Sequence, residues 1–132
     1  MTDLNYPPSA TYRLGDALED CEARGDQAFA DALSWAVDEW GPDAEVTLTA
    51  LTTGDRDRVF GALNQRVAGE VTESKAQTWL TAAGVEAAPW LESDMDVVER
   101  GRLQERLPPA LTDWLRREQE GLNDLGGADE GN

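Results

Sequence analysis

A chain of 132 residues with 40% apolar side chains and five tryptophans has the size and the material for one domain with a core of its own. Its 27 acidic side chains face only 11 basic ones, for a formal net charge of -16, and Lys75 is the single lysine. With no histidine and one cysteine, Cys21, the chain excludes Ser-His and Cys-His nucleophile pairs, histidine-ligated zinc, a histidine pH switch and an internal disulfide.

An acidic surface almost free of lysine is expected of a protein built for molar potassium chloride, as in extremely halophilic archaea; the alternatives are an ordinary acidic protein or an inhibitor that mimics nucleic acid. In dilute buffer such a charge repels itself and weakens the compact state, and concentrated salt screens it. No apolar run approaches the roughly 20 residues that cross a bilayer. The start, Met1-Thr2-Asp3-Leu4-Asn5-Tyr6, lacks the basic and apolar regions of a signal peptide. A cytoplasmic location, with no membrane contact, is the expectation.

Along the chain, residues 1–12 read as an extended arm, broken by Pro7-Pro8-Ser9. Leu14, Ala17, Leu18 and Cys21 then recur at helical spacing until Gly25 interrupts. Asp26 is placed to cap a second helix, whose apolar stripe is Phe29, Leu33, Ala36, Val37 and Trp40 and which Gly41-Pro42 ends. Val46, Leu48 and Ala50 alternate with Glu45, Thr47 and Thr49, which predicts a strand. A lone strand leaves its backbone unpaired. Its partner must come from another copy or from this chain, where only Tyr12-Arg13 and Val85-Glu86 offer short candidates.

Thr52-Thr53-Gly54-Asp55 opens a helix with Val59, Phe60, Leu63 and Val67 on its stripe, stopping near Gly69. Thr72 or Ser74 caps the next, carrying Ala76, Trp79, Leu80 and Ala83 up to Gly84. Pro89-Trp90 marks a turn, and Ser93-Asp94-Met95-Asp96 starts a helix through Val97, Val98, Arg102 and Leu103. Pro108-Pro109 begins the last helix, with Leu111, Trp114, Leu115 and Leu122. Residues 126–132 read as a disordered acidic tail. The expected fold is mainly α: five or six short amphipathic helices with one short strand or hairpin, in a single domain over residues 1–125.

No motif for catalysis or for a cofactor stands out, and an enzyme is not expected. The pairs Asp55-Arg56-Asp57 and Asp94-Met95-Asp96 fall in first turns of helices, where acids stabilise the dipole. Side chains two apart on a helix point about 200° apart, so neither pair clasps one ion. Cys21, on an apolar face, reads as a buried structural thiol.

Two other groups bear on partners. Residues 100–117 hold Arg100, Arg102, Arg106, Arg116 and Arg117 against two acids, whereas residues 1–45 hold eleven acids and two arginines. The arginines form either a docking surface for an acidic partner or an internal match to the acidic half, with local pairs such as Arg116 with Glu120. Nucleic acid is disfavoured at molar salt, where counterion release no longer drives binding. Of the tryptophans, Trp40, Trp79 and Trp114 lie on apolar stripes. Trp35 lies off its stripe and Trp90 sits in a turn, so either, if exposed, is a natural interface hot spot.

From Glu45 to Leu125 the chain resembles the tail assembly chaperones of tailed viruses. The resemblance rests on the strand running straight into a helix start, Val46-Thr47-Leu48-Thr49-Ala50-Leu51-Thr52-Thr53-Gly54-Asp55. It rests also on the compact string of short amphipathic helices that follows, and on the closing segment Leu107-Pro108-Pro109-Ala110-Leu111-Thr112-Asp113-Trp114-Leu115. The acidic N-terminal pair of helices is outside that pattern. The resemblance implies a non-enzymatic protein, without cofactor, that coats a long tape-measure protein, keeps its apolar helices soluble and recruits tail-tube subunits. It implies client contacts in apolar strips between helices, with Phe60, Leu63, Trp79, Trp90 and Trp114 as candidates. The alternative is a small adaptor or regulatory protein of a halophile, touching protein or nucleic acid through its arginines.

Overall fold

The period-two pattern at 45–51 and the helical stripes around it are realised as a small sheet wrapped by helices. A computed structural model describes residues 7–66 and 71–131. The elements run β1 (Ser9–Arg13), α1 (Leu14–Arg24), α2 (Gln27–Trp40), β2 (Glu45–Thr49), α3 (Thr53–Arg66), α4 (Glu73–Ala83), β3 (Val85–Ala87), α5 (Val97–Gln104) and α6 (Pro109–Gly131). The chain is mainly helical, as its sequence predicts, with one three-stranded antiparallel sheet.

β2 is the central strand, in the order β1-β2-β3. Its alternation works as read: Val46 and Leu48 are fully buried while Glu45 is exposed. β1 pairs from Ser9 opposite Thr49 to Arg13 opposite Glu45, and a bulge between Thr47 and Leu48 adjusts the pairing with β3. Both short segments, Tyr12-Arg13 and Val85-Glu86, therefore become partners, and the strand is satisfied within one chain. The expected strand or hairpin is thus a three-stranded sheet, and the arm expected over 1–12 is shortened. The arm ends in β1 from Ser9, and residues 1–6 lie outside the described part. A segment of three to five residues is too short to show periodicity; its state is set by the strand it meets.

Two cores form. The larger joins α1, α2, the sheet and α6 through Leu14, Cys21, Leu33, Val46, Leu48, Leu111, Trp114 and Leu115, among others. Each fully buried leucine there contributes about 1.5–3 kcal/mol relative to exposure. Gly25, at φ 78°, reverses the chain between α1 and α2, and its left-handed cap lets Asp26 N donate to the Cys21 carbonyl at 3.0 Å. The smaller core packs α3, α4 and α5 around Val59, Leu63, Ala76 and Trp79. Gly101 is required there: a methyl at that position would run into the indole of Trp79, which lies against α5.

The helix starts follow their caps. Thr52 and Asp55 bond reciprocally, each main-chain N–H donating to the other's side chain at 3.1 Å, and Asp96 does the same with Glu99. Thr72 accepts from Lys75 N at 3.1 Å and so caps α4. Asp26 departs from expectation. It makes no side-chain cap on α2, because its carboxylate accepts instead from Arg117 Nη1 at 2.8 Å, on α6. The structure also carries α6 through Gly131, past the glycines at 126 and 127 where a disordered tail is expected. A helix whose first turns are packed propagates at little cost per added residue. Asn132, Val67 and the stop near Gly69 lie outside the described residues.

Candidate functional site

Three of the five apolar side chains expected to hold a client belong to the cores. Leu63, Trp79 and Trp114 are 0%, 1% and 2% exposed, and cannot line a groove without unfolding. Trp79 is further held by its Nε1–H, which donates to Glu105 Oε1 at 2.7 Å. Trp114 meets the ring of Tyr12 edge-on, centroids 5.5 Å apart. Phe60 remains at the surface, 40% exposed, since Val59 and Leu63 define the inward line of α3 and Phe60 stands about 100° from Val59 around the helix. Trp90 is half-buried against the larger core.

Trp90 instead ends a row of three tryptophans. Trp35 meets Trp40 edge to face, with centroids 5.3 Å apart and planes at 90°. Trp40 in turn tilts against Trp90 at 5.2 Å. The row crosses from α2 to the turn between β3 and α5, where Leu91 N donates to the Ala88 carbonyl at 3.1 Å and fixes Trp90. Its inner end packs on the larger core and its outer end, Trp35, is 38% exposed. Trp35 and Trp40 are absent from the residues that the resemblance implies. The signal for Trp35 was its place off the stripe of α2; nothing in the spacing linked it to Trp90, fifty-five positions later. Asp31, Asp38 and Glu39 stand at i-4, i+3 and i+4 from Trp35, so they share its face of the helix. All three are exposed, and among the described residues no arginine or lysine pairs with them.

The arginines of the C-terminal third do not form one surface. Arg117 reaches Asp26 and Glu118, at 2.8 and 3.2 Å, and lies over the Phe29 ring with 4.7 Å to the centroid. Its charge fastens α6 to the corner between α1 and α2. Arg100 donates from Nη1 to the Val85 carbonyl at 2.7 Å and holds β3. Arg116 donates to Gln77 and pairs with Asp113 rather than Glu120. Arg102 and Arg106 are exposed. Internal matching accounts for three of the five.

An open pocket of about 560 Å³ lies between α4, the end of α5 and the start of α6, and is lined by hydroxyls and amides together with Lys75, Glu105, Asp113 and Arg116. Its charges are spent on the protein. Lys75 Nζ is 2.8 Å from Glu105, the same carboxylate that accepts from Trp79. Burial pushes that carboxyl up, but the bonds from Lys75 and Trp79 outweigh it and hold it below the usual range. The buried amides are satisfied too: Gln104 Nε2 donates to Thr112 at 2.8 Å and Gln119 Nε2 to the Thr81 carbonyl at 2.7 Å. Burial pushes the Cys21 thiol up against the lowering effect of Arg117. A thiol held protonated is a poor nucleophile. Among the described residues no three acidic or cysteine side chains are grouped to hold a metal ion, and no helix is long and apolar enough to cross a membrane.

This chain matches no protein-family model, no curated protein and no solved structure.

Proposed function

We propose that the protein is a non-enzymatic binding module that holds an amphipathic helix of a partner protein, and that it serves as a tail assembly chaperone for a virus of a halophilic host. The observation that carries the reading is the row Trp35, Trp40 and Trp90, anchored in the core at one end and open at the other. Tryptophan presents a large apolar area at low entropic cost, and supported aromatic side chains dominate binding energy at protein interfaces. The client follows from the resemblance of residues 45–125 to tail assembly chaperones: the apolar helices of a tape-measure protein, with the tail-tube subunit as second partner. The work of the module is to cover those helices until the tail assembles, in the cytoplasm of the infected cell. The engagement of Arg100, Arg116 and Arg117 inside the fold disfavours the nucleic-acid alternative.

A tagged pull-down from source lysate in about 2 M potassium chloride, where charge is screened within a few ångströms, tests it. Recovery of one very long helical protein is the expected result. Recovery of transcription or signalling proteins, or of DNA, overturns it in favour of an adaptor of the host. The halophilic setting has its own test. Helical circular dichroism is expected to rise steeply as potassium chloride goes from about 0.1 to about 2 M, and a flat response removes the argument from charge.

A further inference from the structure

The open end of the tryptophan row is apolar at its centre and acidic at its margin, and that combination selects among helices. Trp35 supplies the apolar contact. Asp31, Asp38 and Glu39 surround it on the same face of α2, exposed and without a basic partner among the described residues. A helix with an acidic margin would bring like charges together as it docked. A helix whose apolar stripe is bordered by lysine or arginine meets opposite charge on docking, while its apolar side chains cover Trp35 and the exposed edge of Trp40.

We infer that the α2 face around Trp35 is the docking site, and that its occupant is a basic amphipathic helix of the partner, apolar along one stripe and flanked by lysine or arginine. The inference rests on the reading of the protein as a binder of client helices and adds which face binds and what charge the client bears. The specificity is local. Removing three charges at Asp31, Asp38 and Glu39 changes the net charge of -16 only modestly, yet removes the acidic margin of this face. Contacts this close persist in molar salt, where the screening length is about 3 Å, so discrimination narrows without vanishing.

The experiment uses two synthetic amphipathic helices with the same leucine stripe, one bordered by lysine and one by glutamate, titrated into the full chain in about 1 M potassium chloride with tryptophan fluorescence as readout. The lysine-bordered helix is expected to bind about tenfold more tightly, a difference of about 1.4 kcal/mol. Trp35→Ala is expected to weaken it about tenfold or more, as loss of a hot-spot tryptophan does. Trp35 is a surface side chain, and unchanged circular dichroism verifies that the variant folds. The triple variant Asp31→Asn, Asp38→Asn, Glu39→Gln is expected to bring the two affinities together while keeping the leucine contact. Equal binding of both helices by the wild type, or Trp35→Ala binding as well as wild type, overturns the proposal. So does discrimination that survives the triple variant. The outcome is separable from that of the functional reading. If Trp35→Ala still retains the long helical client in the pull-down, the chaperone role stands and this face falls; if the wild type retains none, the role itself falls.

Discussion

Trp79 on α4 and Trp35 on α2 each sit near the middle of a helix and are treated in opposite ways. Around Trp79 the chain has removed a side chain at Gly101, supplied a carboxylate from Glu105 for the indole N–H, and spent its single lysine on that carboxylate. Around Trp35 it has supplied an edge-on ring and three acids that have no basic partner among the described residues, and left the indole more than a third exposed. A tryptophan that holds a fold has its volume and its polar atom both provided for. A tryptophan left without such provision, though rigidly backed, is available to something else. Changes in each neighbourhood test that contrast.

The largest effect is expected from Trp79→Ala, which empties the centre of the smaller core and should cost about 3–5 kcal/mol in denaturant unfolding. Gly101→Ala should cost about 1–3 kcal/mol, because the added methyl forces the indole or α5 to shift. A neutral result would mean that the close fit at Gly101 is not what orients Trp79. Glu105→Gln comes next and is read in the pH dependence of stability. The carboxyl is held below its usual value in the folded chain, so its contribution is present above the unfolded value of about 4.3 and is lost as pH falls through the lower folded one. The variant should flatten that acid limb, and an unchanged limb would remove Lys75 and Glu105 from the account of this core. The smallest stability effect is expected for Trp35→Ala, about 0.5–1.5 kcal/mol, from loss of its edge-to-face contact with Trp40. A loss comparable to that of Trp79→Ala would erase the distinction between the two tryptophans.

How much of this the sequence displayed depended on the range of the interaction. β2 was legible because five residues of alternation suffice, and the starts at Thr52 and Asp96 because caps and capping boxes act within four residues. β1 and β3 were not, since each is a strand only by virtue of lying against β2. The helical stripes named the buried side chains of α1, but in α2 they found only Leu33 and Ala36, left out Ala30 and Ala32, and included Phe29, Val37 and Trp40, which are only partly buried. They misplaced Phe60 because it borders the stripe set by Val59 and Leu63, and a border position goes in or out with a small rotation. The row of tryptophans was half visible: Trp35 stood off its stripe and Trp90 in a turn, but their link through Trp40 needs the fold. The arginines signalled their near partners and not their distant ones: Arg116 stands three positions from Asp113 and Arg117 beside Glu118, but no spacing linked Arg100 to Val85 or Arg117 to Asp26.

That last contact joins residues 91 apart and closes the corner between α1 and α2 with a side chain from the final helix. Sheet and corner alike wait on late segments of chain. β2 gains its second neighbour only once β3 has been made, and α2 packs against α6 only once α6 has. Contacts of such span are closed late and slow folding, because the entropy of the intervening loop is lost before they return anything. During synthesis the acidic N-terminal half therefore stands for a time with its apolar face open and its arginine partner not yet made. Its excess of negative charge then serves a second purpose, keeping nascent chains apart while that face is bare. A chain ending at residue 108 is the species to examine: it should be far more sensitive to protease than the full chain, and should remain monomeric unless Asp and Glu residues of α1 and α2 are neutralised.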